Sequence, residues 1–322
     1  AVPCGGGFAL LIPFLCCVAA VWFWGRGAGS PADAEGMAAM LVPRAASLVS
    51  RLGFVVLGGG IVFAMGLADD VWKIRPLWKL LIQIAAALLL VAGGVRITAH
   101  IPSTAISVLL TVAWVVGITN SFNLLDNMDG LSAGIAAIAS FIFAMVLINS
   151  GQVVLAVLLA VLAGAAAGFL TQNFHPARLY MGDAGSYFLG FTLSALTVEA
   201  TFYSHAGPRP ESPVMLALGV PLLIMAVPMF DTATVLWIRL REGRPLWVGD
   251  RSHLSHRLVG TGLSVRGAVL AVYLLTLACG IGALLLRDLS LTGGVLVLAQ
   301  AAAILAVVAI LEGLGRRGNG GQ

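Results

Sequence analysis

Long apolar runs separated by short polar inserts are the dominant pattern of this chain. A helix needs about 20 mostly apolar residues to cross a hydrocarbon core roughly 30 Å thick, and about ten such segments can be placed. They fall from near the start to about Trp24, then near 52–67, 80–95, 104–119, 131–149, 153–170, 186–203 and 213–237, with two more after Ser264. The fold class that follows is an all-α integral membrane protein, a polytopic bundle of about ten transmembrane helices. Pro221 and Pro228 lie in one span and are expected to kink it.

Polar inserts at 66–75, 120–130, 173–183 and 250–257 interrupt the runs, and residues 25–50, rich in Gly, Ala, Ser and Pro, read as a loop. Alternating the spans places all four inserts on one side of the membrane. All but six of the 18 Lys and Arg go with them, the exceptions being Arg26, Arg44, Arg51, Arg96, Arg209 and Arg287. By the positive-inside bias that side is cytoplasmic, which predicts a multi-pass protein of the cell (inner) membrane with its chemistry at the cytoplasmic face.

Composition agrees: 60% of residues are hydrophobic and 10% charged, and the mean hydropathy is +1.01. No stretch is long enough to build a soluble core, so residues 1–322 read as a single transmembrane domain. A net charge of +4 and a pI near 9.1 follow from that topology beside anionic lipid, with no case for nucleic acid. Cys4, Cys16, Cys17 and Cys279 lack metal-ligand spacing and read as packing residues. The chain starts at Ala1 without a basic signal-peptide region, so a processed or truncated product lacking a leading helix is expected.

Asn120, Asn123, Asp126 and Asp129 recur every three residues and would form a slanted ladder of oxygen-bearing groups on a helix. With Asp69, Asp70, Asp183 and Asp231 they gather carboxylates at helix ends, where an ionised group at mid-bilayer would cost roughly 2.5–3.5 kcal/mol unless it faced a cavity or partner. Oxygen donors suit a hard cation such as Mg²⁺, held by one or two carboxylates together with substrate phosphates. Arg251, His253, His256 and Arg257 add groups that can face phosphate oxygens. In Gly182-Asp183-Ala184-Gly185-Ser186 the small residues let backbone approach a ligand. Acids for a metal and bases for anions, at a membrane surface, point to phosphoryl transfer between a soluble and a lipid-linked phosphate.

Gly66 to Asp70, Asn120 to Gly134, Asn173 to Gly190, and Pro228 to Asp231 followed by Asp250 to Leu258 together resemble the polyprenyl-phosphate N-acetylhexosamine-1-phosphate transferase family, in order and spacing, from about 60 to 265. The resemblance implies transfer of a sugar-1-phosphate, GlcNAc-1-phosphate in this branch, from a UDP-sugar to polyprenyl (undecaprenyl) phosphate. The products would be polyprenyl-diphosphate-sugar for envelope glycan synthesis and UMP. It implies Asp183 as principal Mg²⁺ ligand (Mn²⁺ as substitute) with Asn123 second, and Asp69 and Asp70 near the lipid phosphate. Asp126 and Asp129, with Asn173, would lie near the nucleotide diphosphate and uracil, and Tyr180 would stack on the base. His253, His256 and Arg257, with Arg251, would belong to a substrate-capping loop at 239–265. Oligomeric state stays open, a homodimer included.

Two departures stand out: Ser255 replaces a histidine common in the family, and the basic residues that usually precede Pro3, Gly6 and Gly7 are missing. His175 reads as a loop residue, His100 and His205 as interfacial and Glu199 as structural. The alternatives are a phospho-MurNAc-pentapeptide transferase, a membrane transporter and an inactive lipid-phosphate-binding paralogue. A transporter would place its charges near the midplane and show repeated halves.

Overall fold

The computed structural model describes residues 3–27, 37–98, 103–202, 214–247, 252–286 and 289–319. Arg251, Asp250, His100 and His205 lie outside them. The chain is all helical: α1 (Gly6–Gly27), α2 (Met37–Trp72), α3 (Pro76–Ala92), α4 (Thr104–Leu125), α5 (Leu131–Asn149), α6 (Val153–Asn173), α7 (Gly182–Phe202), α8 (Val214–Ile224), α9 (Ala226–Arg241), α10 (Leu254–Gly260), α11 (Val265–Leu285) and α12 (Leu291–Asn319).

Among the described residues seven helices, α1, α2, α4, α5, α6, α11 and α12, are long and apolar enough to cross a membrane, and α8 with α9 forms an eighth, broken span. The two remaining expected spans differ for physical reasons. α3 is apolar but only 17 residues long. α7 has the length but carries Ser186, Thr192, Ser194, Thr197 and Glu199, and every residue from Ala184 to Ala200 is buried. It is surrounded by protein, not lipid, so its hydropathy need not be high, and Ser194 and Thr197 bond to carbonyls of the helix itself.

α7 is therefore the axis of the bundle, packed between α2 and α4 with α1 beside it. In lipid, helix association depends on close packing and polar contacts, because hydrocarbon is as apolar as the helix faces. Gly66 of α2 lies where a Cβ would fall 2.5 Å from the Cα and N of Ala184 and 2.6 Å from the carbonyl carbon of Asp183. At the other end of the same interface Arg51 Nε sits 3.1 Å from the buried Glu199 Oε1, the structural role expected of that acid. Trp114 Nε1 donates to Thr197 Oγ1 at 3.0 Å, tying α4 to α7.

The broken span bends by 70° at Met225. Pro228 has no N–H to offer the carbonyl four residues earlier, Ile224, so the ladder parts one turn before the proline. The bend brings the first turns of α9, with Asp231, under the loop that follows it.

Gly66→Ala is expected to push α2 away from α7 and destabilise the protein by about 1–3 kcal/mol. Gly60→Ala on the same helix, where an added Cβ meets nothing within 4 Å, should be neutral. Thermal unfolding in detergent compares the two.

Candidate functional site

The α7 N-terminus is set by its neighbours. Gly182 has φ 74° and a Cβ there would lie 2.7 Å from Asp70 Oδ2, so both conformation and space require glycine. Asp70 accepts from the backbone N–H of Asp183 at 2.8 Å and of Ala184 at 3.3 Å, capping α7 from α2. From the other side Gly5 and Gly6 donate to the Tyr180 carbonyl and Gly7 to Met181, while Tyr180 N–H donates to Pro3. The glycines near the start thus clamp the turn that delivers Asp183.

Asp183 is one-third exposed, and its Oδ1 accepts from Asn123 Nδ2 at 2.9 Å; the same amide reaches Ser186 Oγ at 3.1 Å. Asp69, nearly buried, accepts from Ile74 N–H at 2.5 Å and from Lys79 Nζ at 2.6 Å. Lys79 also stands 3.7 Å from Asp183 Oδ2 and 6.0 Å from the Tyr187 ring centroid. Lys79 was not among the site residues expected from the sequence. Its position in the first turn of α3, where a cation opposes the helix dipole, is the signal that an acid must lie beside it.

The expected Asn–Asp ladder is not continuous. α4 ends at Leu125, Asp126 is its C-cap, and Asp129 lies in the turn before α5. Asn120 faces α3 instead, where its amide and that of Gln83 bond reciprocally at 2.5 and 3.4 Å. A glutamine inside an otherwise apolar run was the available hint.

Asn173 is buried and uses both ends of its amide within the protein, accepting from Gly130 N–H at 3.0 Å and donating to the Leu179 carbonyl at 2.9 Å. It fastens the 126–130 turn to the 174–181 loop. Asp129 Oδ2 receives His175 Nδ1 at 2.8 Å and Ala177 N–H at 3.0 Å, so His175, read from sequence as a plain loop residue, is paired with a site carboxylate. Tyr180 is 41% exposed.

In the loop after α9, expected from the resemblance to cap the substrate, His253 is buried, with Nδ1 2.8 Å from Asp231 Oδ2, while Asp231 Oδ1 accepts from Leu254 N–H at 2.6 Å. Arg257 donates to the Ser252 carbonyl and, at 3.3 Å, to Thr234 Oγ1. Ser255 donates to Asn127 Oδ1 at 2.7 Å, joining the loop to the turn that carries Asp126 and Asp129. His256 is half-buried, its ring 6.5 Å from that of His253.

Asp69, Asp70, Asp126 and Asp183 thus converge, with Lys79 as the cation in contact. Although part of Asp126 stays accessible, loss of solvent around its carboxyl, and then the charges of Asp183, Asp70 and Asp129, push its pKa up to about 7. Among the described residues no three His, Cys, Asp or Glu side chains are arranged to enclose a metal by themselves. The oxygen donors gathered there and their uncompensated negative charge are of a kind that suits a hard cation.

A family model described as "Glycosyl transferase family 4" matches residues 52–201. The chain is 31% identical over 273 residues to a "Probable undecaprenyl-phosphate N-acetylglucosaminyl 1-phosphate transferase" of Bacillus subtilis, covering 82% of this chain and 74% of that one. It is 38% identical over 295 residues to a "Decaprenyl-phosphate N-acetylglucosaminephosphotransferase" of Mycolicibacterium smegmatis, covering 83% and 71%. Similarity to a "Phospho-N-acetylmuramoyl-pentapeptide-transferase" of a Geobacillus strain, 34% over 164 residues, reaches 45% of this chain and 50% of that one.

The crowding of carboxylates has a measurable pH signature. With a folded pKa of about 7 against an ordinary 3.8, Asp126 makes the wild type lose stability as pH rises between those values, and the loss levels off above them. In metal-free detergent the melting temperature of Asp126→Asn should therefore gain on the wild type between about pH 4 and pH 7 and then hold a constant lead.

Proposed function

The chain belongs to glycosyl transferase family 4, and from that premise we propose that it transfers N-acetylglucosamine-1-phosphate from UDP-N-acetylglucosamine to a polyprenyl phosphate, releasing UMP. The observation that carries the reading is the convergence of Asp183, Asn123, Asp69 and Lys79, drawn from four helices, at one end of a membrane bundle. Two relatives named as polyprenyl-phosphate GlcNAc-1-phosphate transferases match over four-fifths of the chain, whereas the muramoyl-pentapeptide relative matches under half. This favours GlcNAc as the sugar. The site end is cytoplasmic in this reading, where nucleotide sugars are found and where the basic residues lie.

In the reaction an oxygen of the lipid phosphate attacks the sugar-bearing phosphorus of the donor. The new P–O–P bond forms as the bond from that phosphorus to the bridging oxygen breaks, and the electron pair leaves with UMP. A phosphate monoester has a second pKa of about 6, so the acceptor is already largely a dianion and has little proton to give up. The structure supports positioning in place of base catalysis: the Asp69 carboxylate is held by Ile74 and Lys79, and that of Asp70 by the α7 N-terminus. Lys79 would turn its ammonium group to the incoming phosphates, and Asn123 orients Asp183. Asp183, with Asn123 beside it, would hold Mg²⁺, and the chemistry such a cation supplies when bound is neutralisation of phosphate charge. Direct attack inverts configuration at phosphorus; a covalent aspartyl route would retain it.

The test is UMP release from UDP-N-acetylglucosamine by the purified membrane protein, with and without Mg²⁺ and polyprenyl phosphate. Asp183→Ala is expected to lose turnover by at least about 10³-fold, by analogy with removal of a key electrostatic group, while melting near the wild type. Turnover that persists in the variant, or in EDTA, removes the assignment.

A further inference from the structure

The turn that joins α2 to α3 sends almost every side chain from Val71 to Trp78 outward, with only Ile74 half-buried. Trp72 is 76% and Trp78 58% exposed, and Lys73 and Arg75 stand between them. Among the described residues no ion pair or side-chain hydrogen bond engages either cation, the neighbouring Asp69 and Asp70 being taken up by Ile74, Lys79 and the first amides of α7. Lys73 is also the one non-glycine residue among them with a positive φ, 50°. At a helix end that conformation suits glycine, and a side chain is strained in it. The fold itself therefore does not ask for a lysine here.

The depth of the turn follows from α3. At 1.5 Å per residue its 17 residues span about 26 Å, short of a hydrocarbon core of roughly 30 Å, so its ends stay near the lipid phosphates. Leu77, Leu80 and Leu81 of its first turns are exposed towards hydrocarbon, and tryptophan favours the boundary where one side is apolar and the other wet. Two cations at that level, with no acid to answer them, oppose the phosphodiesters of the leaflet. We propose that Trp72, Lys73, Arg75 and Trp78 form a docking site for an anionic phospholipid of the phosphatidylglycerol kind, its headgroup on the two cations and its chains along the tryptophans and leucines. An acidic protein surface in water would match the cations and leave the apolar side chains unexplained. The lipid substrate is a different ligand: in the reading above its phosphate goes inward to Asp69 and Asp70. The docked phospholipid has no reacting group, so the site stands apart from the transferase reading.

The test reads the turn in the full chain, reconstituted in phosphatidylcholine bilayers with a minor share of phosphatidylglycerol, bromine being placed on the acyl chains of one lipid or the other. Bromine quenches tryptophan on contact, and the part of the quenching that disappears with Trp72→Phe and Trp78→Phe together is the turn's own. A cation beside an anionic headgroup is worth about fivefold in local partition. Brominated phosphatidylglycerol should therefore quench that part several-fold beyond an equal amount of brominated phosphatidylcholine, and less so in high salt. Lys73→Gly and Arg75→Gln should each lower the preference by about fivefold, and the double variant should bring it to parity. Because glycine suits the φ of residue 73, Lys73→Gly should melt no lower than the wild type, which separates loss of preference from loss of fold. Equal quenching by the two lipids in the wild type, quenching by neither, or a preference that survives the double substitution overturns the proposal. So does a Lys73→Gly chain that melts well below the wild type, since the lysine would then be serving the fold.

Discussion

Four carboxylates crowded at one end of a helix bundle, with Lys79 as the ammonium group in contact, impose the constraint from which the rest of the architecture follows. Like charges so placed repel strongly where solvent is scarce, and a chain arranges them only when other forces hold the groups in place. Here those forces are backbone amides. Asp70 is bound by the first amides of α7, and Asp69 by Ile74 N–H. The acids are pinned before any ligand arrives, and the remaining negative charge is what a cation would meet.

Pinning them requires helices closer together than ordinary side chains allow. Gly66 against Ala184, and Gly7 against Gly185, bring α2 and α1 onto the first turn of α7. Lipid supplies little driving force for helix association, so the contact area opened by these glycines and the polar bonds across the same interface do the holding. α7 is buried along nearly its whole length for this reason, and the hydroxyls of Ser194 and Thr197 turn to helix carbonyls. The axis of the fold is thus its least lipid-like span, and the property that hides it from a hydropathy scan is the one that lets it carry Asp183.

That contrast explains what could be read from the chain beforehand. The class of fold, and the gathering of Asp69, Asp70, Asp126 and Asp183 at one end of the bundle, were legible, because lipid thickness fixes span length and the polar inserts recur between spans. Which atom of each residue faces the site was not. Asn120 keeps the three-residue spacing of its neighbours yet pairs with Gln83, since α4 stops at Leu125 and the register past it is set by the Gly130 turn. Asn173, expected beside the nucleotide, spends both amide ends joining two loops. Lys79 was hidden because its partner Asp69 lies on another helix, across a turn whose geometry no periodicity describes.

The capping loop shows how such internal pairing alters the chemistry expected of a motif. Counted from sequence, it brings a cluster of cations to the phosphates. In the fold, His253 is buried on Asp231, Arg257 binds Ser252 and Thr234, and Ser255, standing where the family commonly has histidine, bonds to Asn127. Much of the loop's polar capacity therefore goes into holding the loop against α9 and against the Asp126–Asp129 turn. Positive charge beside the carboxylates comes from the bundle itself, where Lys79 Nζ stands 3.7 Å from Asp183 Oδ2. On this view the described part of the loop contributes geometry: it ties the turn bearing Asp126 and Asp129 to the bent span through Ser255–Asn127 and His253–Asp231.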